Sequence, residues 1–263
     1  MAGDTSYRYP GEHLVLAITV VAVLLVIALT ATATMCTSVV FVGMAVMISF
    51  HASRSAHRQL VERAQRISSE SNPEIVSIIQ TCKNRIQPGD VEVFVAPTRQ
   101  LNAYTFGLSD PKAVVLYSGL FHVMDKDELS FILGHELGHV RLGHTWLNSL
   151  IGGMAGIPSP SSASALLMLT FLWWNRMCEY SADRAGLLAC QKPEKAISAL
   201  IKLVAGEKGL THEGMALAYS QIDAEDDTVM GSINEAFGSH PMLIRRIQQI
   251  RRFAASDQYE RLV

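Results

Sequence analysis

Thirty-seven consecutive residues, Leu14 to Phe50, contain no Asp, Glu, Lys, Arg or His. A run of that length has two homes, the core of a large fold or a lipid bilayer. A helix needs about 20 apolar residues to cross the hydrocarbon layer. The run is too long for one such helix and close to the length of two joined by a tight turn. The weakly apolar stretch Thr30–Ser38 supplies the turn, so the expectation is a hairpin of Leu14–Ala31 and Thr37–Phe50, with one long tilted helix as the alternative. Charged residues make up 17% of the chain against a usual quarter, which fits a protein partly in lipid.

The leader Met1–His13 carries Asp4, Arg8 and Glu12 and lacks the basic region of a cleaved signal peptide. A retained anchor is therefore expected. Immediately after the run stand Arg54, Arg58, Arg63 and Arg66 against Glu62 alone, a local charge of +3. Positive flanks stay cytoplasmic, which places the bulk of the chain in the cytoplasm. With 22 Lys and Arg against 24 Asp and Glu, no global field calls for nucleic acid. Cys36, Cys82, Cys178 and Cys190 are too few and too scattered for a disulfide framework or a cysteine-rich zinc module.

Beyond the anchor, residues 1–50, the second expected unit is 51–263. Amphipathic patterns over 52–69 and 73–86, split at Ser71-Asn72-Pro73, predict two helices. Val91–Val95, Asn102–Gly107 and Ala113–Tyr117 predict a small sheet of about three strands. Asp125 with Glu128 three residues on signals the start of a helix over 126–148. Further helices are expected at 166–190, 193–206 and 241–256. The fold class is α+β, mostly helical. Residues 145–175 are uncharged throughout and are broken by Pro158 and Pro160; they predict a buried or membrane-dipping apolar hairpin.

Inside the capped helix lies His135-Glu136-Leu137-Gly138-His139. Residues four apart share one helix face, so the two imidazoles can grip one zinc ion. Glu136, next to His135, can reach a water at that metal; this is why the pattern signals hydrolysis. A catalytic zinc needs a third protein ligand and an open position. His144 lies about 140° round a continuous helix from His139, so it points away and reads as a surface or outer-layer residue. Glu179 is the first carboxylate after Glu136, and Asp183 shares its face one turn on. That pair offers a third ligand and an acceptor for the second ring nitrogen of a ligating histidine. Cys178 faces away from Glu179 and reads as core.

Gly134-His135-Glu136-Leu137-Gly138-His139-Val140, Glu179-Tyr180-Ser181-Ala182-Asp183-Arg184-Ala185-Gly186 and Ser239-His240-Pro241 together resemble the membrane zinc endopeptidases of the HtpX and CaaX prenyl protease family. Asn102-Ala103-Tyr104 and Ser118-Gly119-Leu120 are similar to that family's strand and turn before the active-site helix. The resemblance implies a zincin-like domain in which His135, His139 and Glu179 hold one zinc and Glu136 is the acid/base. It implies that His240 meets the substrate oxyanion and that Arg246 supports the site. Read by itself, His240-Pro241 is equally a helix start. The family's proteases often have two more spans between the second histidine and the glutamate, which this chain does not clearly provide.

The expected function is zinc-dependent hydrolysis of peptide bonds in proteins or peptides, in quality control or processing of membrane proteins, misfolded ones among them. The strand around Asn102, Ala103 and Tyr104 is the expected substrate-binding edge. The expected location is the bilayer itself, the inner or plasma membrane in a prokaryote. A membrane-anchored scaffold with structural or absent zinc is the alternative, and Glu136 beside an open position argues against it.

Overall fold

Asp125 starts the helix around which the rest is arranged. Its carboxylate accepts from the backbone N–H groups of Asp127 and Glu128, both at 3.0 Å, while Glu128 Oε2 accepts from Asp125 N at 2.9 Å. This reciprocal cap removes orphan donors at the helix start. The computed structural model describes residues 6–33, 72–107, 110–146, 162–205 and 241–263, with scattered positions between 40 and 67.

In chain order the helices are α1 Glu12–Ala33, α2 Pro73–Ile86, α3 Leu120–Val123, α4 Lys126–Arg141, α5 Ser162–Cys190, α6 Pro193–Ala205, α7 Pro241–Ala254 and α8 Asp257–Leu262. The strands are β1 Gln65–Arg66, β2 Val91–Ala96, β3 Ala103–Phe106 and β4 Lys112–Tyr117. The class is α+β, as expected, but the sheet has four strands in the order β1-β2-β4-β3. β2 and β4 run parallel, with Val91 opposite Lys112; β3 pairs antiparallel to β4, with Ala103 opposite Leu116. β3 is therefore an edge strand.

The predicted helix over 52–69 is overruled at its end: Gln65 and Arg66 pair antiparallel with Val95 and Phe94 as β1. A sheet edge with unpaired backbone groups outweighs a weak helical pattern there. The turn Ser118-Gly119-Leu120 is tight for a steric reason, since a Cβ on Gly119 would stand 2.4 Å from the carbonyl oxygen of Arg99. Phe131, Leu137, Leu187, Leu200, Ile247 and Phe253 are among the fully buried side chains that join α4, α5, α6 and α7.

Helices α4 and α5 touch backbone to backbone. A Cβ on Gly134 would lie 2.2 Å from Ala189 Cβ, and one on Gly138 would lie 2.5 Å from Ala185 Cβ. As α4 numbers rise the α5 partners fall, so the two helices are antiparallel. α1 is 22 residues, about 33 Å, enough to cross a bilayer by length and composition. Leu14, Val21, Leu24, Leu25 and Leu29 on it are exposed. Its first turns pack on α5, where Val15 is buried with Trp174 and Cys178, and Thr19 Oγ1 donates to Thr170 O at 3.2 Å.

Of the expected apolar hairpin at 145–175, mainly the second part falls among the described residues. Residues 162–175 form the first half of α5, the same continuous helix that carries Glu179. Residues 147–161 lie outside the described residues, and so do most of the second anchor arm and His240.

Candidate active site

One turn of α4 brings the Nε2 atoms of His135 and His139 to 3.2 Å from each other. Across the antiparallel seam, α5 presents Glu179. Its Oε2 lies 3.5 Å from His135 Nε2 and its Oε1 3.5 Å from His139 Nε2. The small residues of the seam let the two backbones approach closely enough for this short carboxylate to reach. Three potential ligand atoms thus lie within 4.8 Å of one another.

Each ring is held from behind. His135 Nδ1 is 3.0 Å from Asp183 Oδ1. Arg246 of α7 grips Asp183 with two bonds, Nε to Oδ2 at 2.8 Å and a terminal nitrogen to Oδ1 at 2.6 Å, and its other terminal nitrogen meets Glu179 Oε2 at 3.1 Å. A guanidinium is a donor only, so it offers its N–H groups to both carboxylates. Burial alone would raise the Glu179 carboxyl, but Arg246 and the two imidazoles hold it well below the ordinary value. Burial opposes the charge on Arg246 as well, and Asp183 and Glu179 more than restore it.

Behind His139 stands a second imidazole. His139 Nδ1 is 3.0 Å from His144 Nδ1, and His144 Nε2 is 3.0 Å from Glu12 Oε1. Glu12 also accepts from Ser181 Oγ and pairs with Arg8, whose other nitrogen donates to Leu142 O at 2.9 Å. Burial lowers the His144 pKa to about 4, so its ring is neutral at physiological pH.

His144 is an outer-layer residue, as expected, but the expectation that it points away is corrected. That expectation assumed a helix to residue 148, but α4 ends at Arg141 and Gly143, at φ +80, turns the chain so that His144 returns beneath His139. In the sequence Glu12 reads only as a leader charge and not as part of the site. A carboxylate at the mouth of an apolar run was the available signal.

Glu136 lines the cleft beside the ligands, and Thr105 Oγ1 donates to its Oε2 at 2.5 Å. The cleft, about 290 Å³, is lined by Asn102, Ala103 and Tyr104 on one side and by Phe131, Ile132 and Leu203 among others. Thr145 also lines it, buried and with no hydrogen-bond partner for its hydroxyl among the described residues. Thus His135, Glu136, His139, Glu179, Asp183, Arg246, Asn102, Ala103 and Tyr104 are brought together, while His240 lies outside the described residues.

The donor set fits a metal. Asp183, gripped by two Arg246 bonds, accepts the Nδ1 proton of His135 and leaves its Nε2 as a lone pair. That lone pair faces the Nε2 of His139 at 3.2 Å and the Glu179 carboxylate at 3.5 Å. Burial disfavours charge on His139, yet Glu179 and Glu136 raise its pKa above the ordinary value. The cradle thus draws positive charge to itself, and two imidazoles with one carboxylate are a zinc set with a position left open.

Residues 69–254 match the family model described as Peptidase family M48. The chain belongs to Peptidase family M48. It is a metallopeptidase hydrolase of that family, consistent with the zincin-like arrangement of α4 and α5. Among curated proteins it is 26% identical over 236 residues to the plastoglobule-localized metallopeptidase 48, chloroplastic, of Arabidopsis thaliana, covering 84% of this chain and 63% of that protein. It is 25% identical over 225 residues to a protease HtpX homolog of Tropheryma whipplei, covering 73% of this chain and 76% of that one. A protease HtpX homolog of Pyrococcus abyssi is 23% identical over 238 residues, with 73% and 77% covered.

Proposed function

We propose that this member of Peptidase family M48 is a membrane-anchored zinc endopeptidase that cleaves protein or peptide substrates. The convergence of the His135, His139 and Glu179 ligand atoms beside Glu136, in one cleft under an edge strand, carries the proposal. His135, His139 and Glu179 would hold one zinc ion per chain. Bound there, zinc supplies a Lewis acid for the scissile carbonyl and lowers the pKa of water.

The chain's own residues do the rest. Glu136 takes a proton from the attacking water and gives it to the leaving amine. Thr105 holds one oxygen of that carboxylate, leaving the other free for the proton. Asn102, Ala103 and Tyr104 offer the backbone of β3 to an extended peptide, main chain to main chain. Recognition of that kind favours unfolded segments over particular sequences, which suits quality control or processing of membrane proteins. His240 is proposed as a partner of the oxyanion on resemblance alone.

Two ends of one segment support the anchor. Arg8 and Glu12 contact Leu142 and Ser181 of the catalytic unit, and Gln65 and Arg66 pair with β2. A chain that leaves a domain and returns to the same side crosses a bilayer an even number of times. This supports two spans, Leu14–Ala31 and Thr37–Phe50, over one tilted helix. Arg54, Arg58, Arg63 and Arg66 then favour a cytoplasmic catalytic unit, at the inner or plasma membrane if the source is prokaryotic.

The test is zinc content of the purified full-length protein beside chelator-sensitive casein cleavage. One zinc per chain with cleavage lost on chelation is expected. Cleavage unaffected by chelation and by loss of metal would sink the proposal.

A further inference from the structure

We propose that Glu12 and His144 are positioning residues for the metal cradle: the N-terminal leader holds the His139 ring through His144, so metal affinity depends on the residue at which the apolar helix begins. The inference rests on the zinc reading above.

The argument is one of protons. Arg8 is only a donor and Ser181 Oγ has a proton to give, and both meet Glu12. The Glu12 carboxylate is therefore an acceptor, and the contact to His144 Nε2 at 3.0 Å requires a proton on that nitrogen. The 3.0 Å contact between His144 Nδ1 and His139 Nδ1 has room for one proton, and with His144 already donating through Nε2 the His139 side supplies it. A proton fixed on His139 Nδ1 leaves its Nε2 lone pair turned toward His135 and Glu179. Every member of the chain is buried: Glu12 and His144 are each 2% exposed and His139 7%. No water competes for the bonds, so each proton position dictates the next.

Cys178 gives the rival use of the same atoms. Glu12, His144 and Cys178 also offer ligand atoms within 4.8 Å of one another. A metal there would take the Nε2 of His144 and move the ring proton to Nδ1. That proton would face His139 Nδ1 and drive the His139 proton to Nε2, where it blocks the cradle. The two occupancies exclude one another, and the Glu12 hydrogen bonds favour the positioning role.

Zinc affinity of the full-length protein in detergent micelles, measured against a competing chelator, tests this, with far-UV circular dichroism and the metal-free thermal midpoint recorded alongside. His144→Phe fills the space and accepts nothing; affinity should fall about 10–100-fold. His144→Asn keeps an acceptor near the Nδ1 position and should restore affinity to within about threefold of the parent. Glu12→Gln keeps the shape and loses the charge, and an intermediate loss of about tenfold is expected. Cobalt in place of zinc should give visible bands that shift in His144→Phe and coincide in His144→Asn and the parent. Unchanged affinity in folded His144→Phe and Glu12→Gln, with Glu179→Ala still losing zinc, would overturn the positioning role. So would a cobalt–thiolate band in the parent that disappears in Cys178→Ala. A parent that binds no zinc, or a Glu179→Ala protein that binds it as tightly as the parent, overturns the zinc reading instead.

Discussion

The two histidines of one helix turn are held by different parts of the chain. His135 leans on Asp183, which lies on the helix that also carries Glu179, and Arg246 ties both acids together. His139 leans on His144, and through it on Glu12 at the first turn of the apolar helix. Both arrangements end on a buried carboxylate and leave an Nε2 lone pair for the metal. The first is closed within the catalytic unit. The second runs out of it to the leader at the start of the apolar helix. Equal chemistry at the ion thus conceals unequal dependence on the rest of the fold.

The largest expected effect leaves both supports untouched. Glu136→Gln should lower casein cleavage by about 10²–10⁴-fold, the range lost with a general acid/base, while one zinc stays bound. Retained cleavage would remove Glu136 from the chemistry and require another residue as the acid/base. Next comes the closed side. Asp183→Ala should weaken zinc binding about 10–100-fold and cost about 1–3 kcal/mol of stability, because it takes from a buried guanidinium one of its two carboxylate partners and leaves donors unpaired. Denaturant unfolding of the metal-free protein reads the second term. If Asp183→Ala proved milder than Glu12→Gln in that assay, the asymmetry argued above would be reversed.

The seam on which both supports depend is the next target. Gly138→Ala puts a methyl group 2.5 Å from Ala185 Cβ, and overpacking of that kind costs about 1–3 kcal/mol. Equilibrium unfolding checks it, and a stability equal to the parent would mean that α4 and α5 can separate without penalty.

Acidity probes the cradle's demand for charge. The folded pKa of His139 is raised, so its contribution is complete below the ordinary imidazole value and is lost as pH rises through the folded one. Glu179 is depressed. Its contribution is complete above the ordinary carboxylate value and disappears only in strong acid, so it stays constant across the neutral range. In chelator, the His139 contribution to the thermal midpoint should therefore decline above about pH 6.5. With zinc the midpoint should rise over the same window, since protons stop competing for the ligands. Parallel slopes in the two buffers would show that His139 does not face the metal.

The closed side was legible in the sequence and the open side was not, for physical reasons. Helical spacing alone put His135 with His139 and Glu179 with Asp183, because both pairs lie within single helices whose periodicity is regular. Helices 73–86 and 193–205 and the strand at 91–96 were readable from caps and alternation in the same way. His144 was misplaced because a positive-φ glycine, not a helical angle, sets its direction. Glu12 is 132 residues from His144, and no local pattern encodes a contact of that range. The two-residue strand at Gln65 was lost to a helical pattern because its only support is a neighbour's unpaired edge.

Thr105 offers the finest test, since it touches neither support. Its hydroxyl donates 2.5 Å to Glu136 Oε2 from the edge strand that is proposed to bind substrate. Nothing in Asn102–Gly107 distinguished it from an ordinary strand threonine. A net hydrogen bond is worth about 1 kcal/mol, so Thr105→Val, which keeps the shape, should lower kcat about fivefold. KM and zinc affinity should not move, because neither β3 main-chain pairing nor the ligand rings need the hydroxyl. A rise in KM at constant kcat would assign Thr105 to substrate binding instead, and a fall in zinc affinity would mean that the base and the cradle share a support the geometry does not reveal.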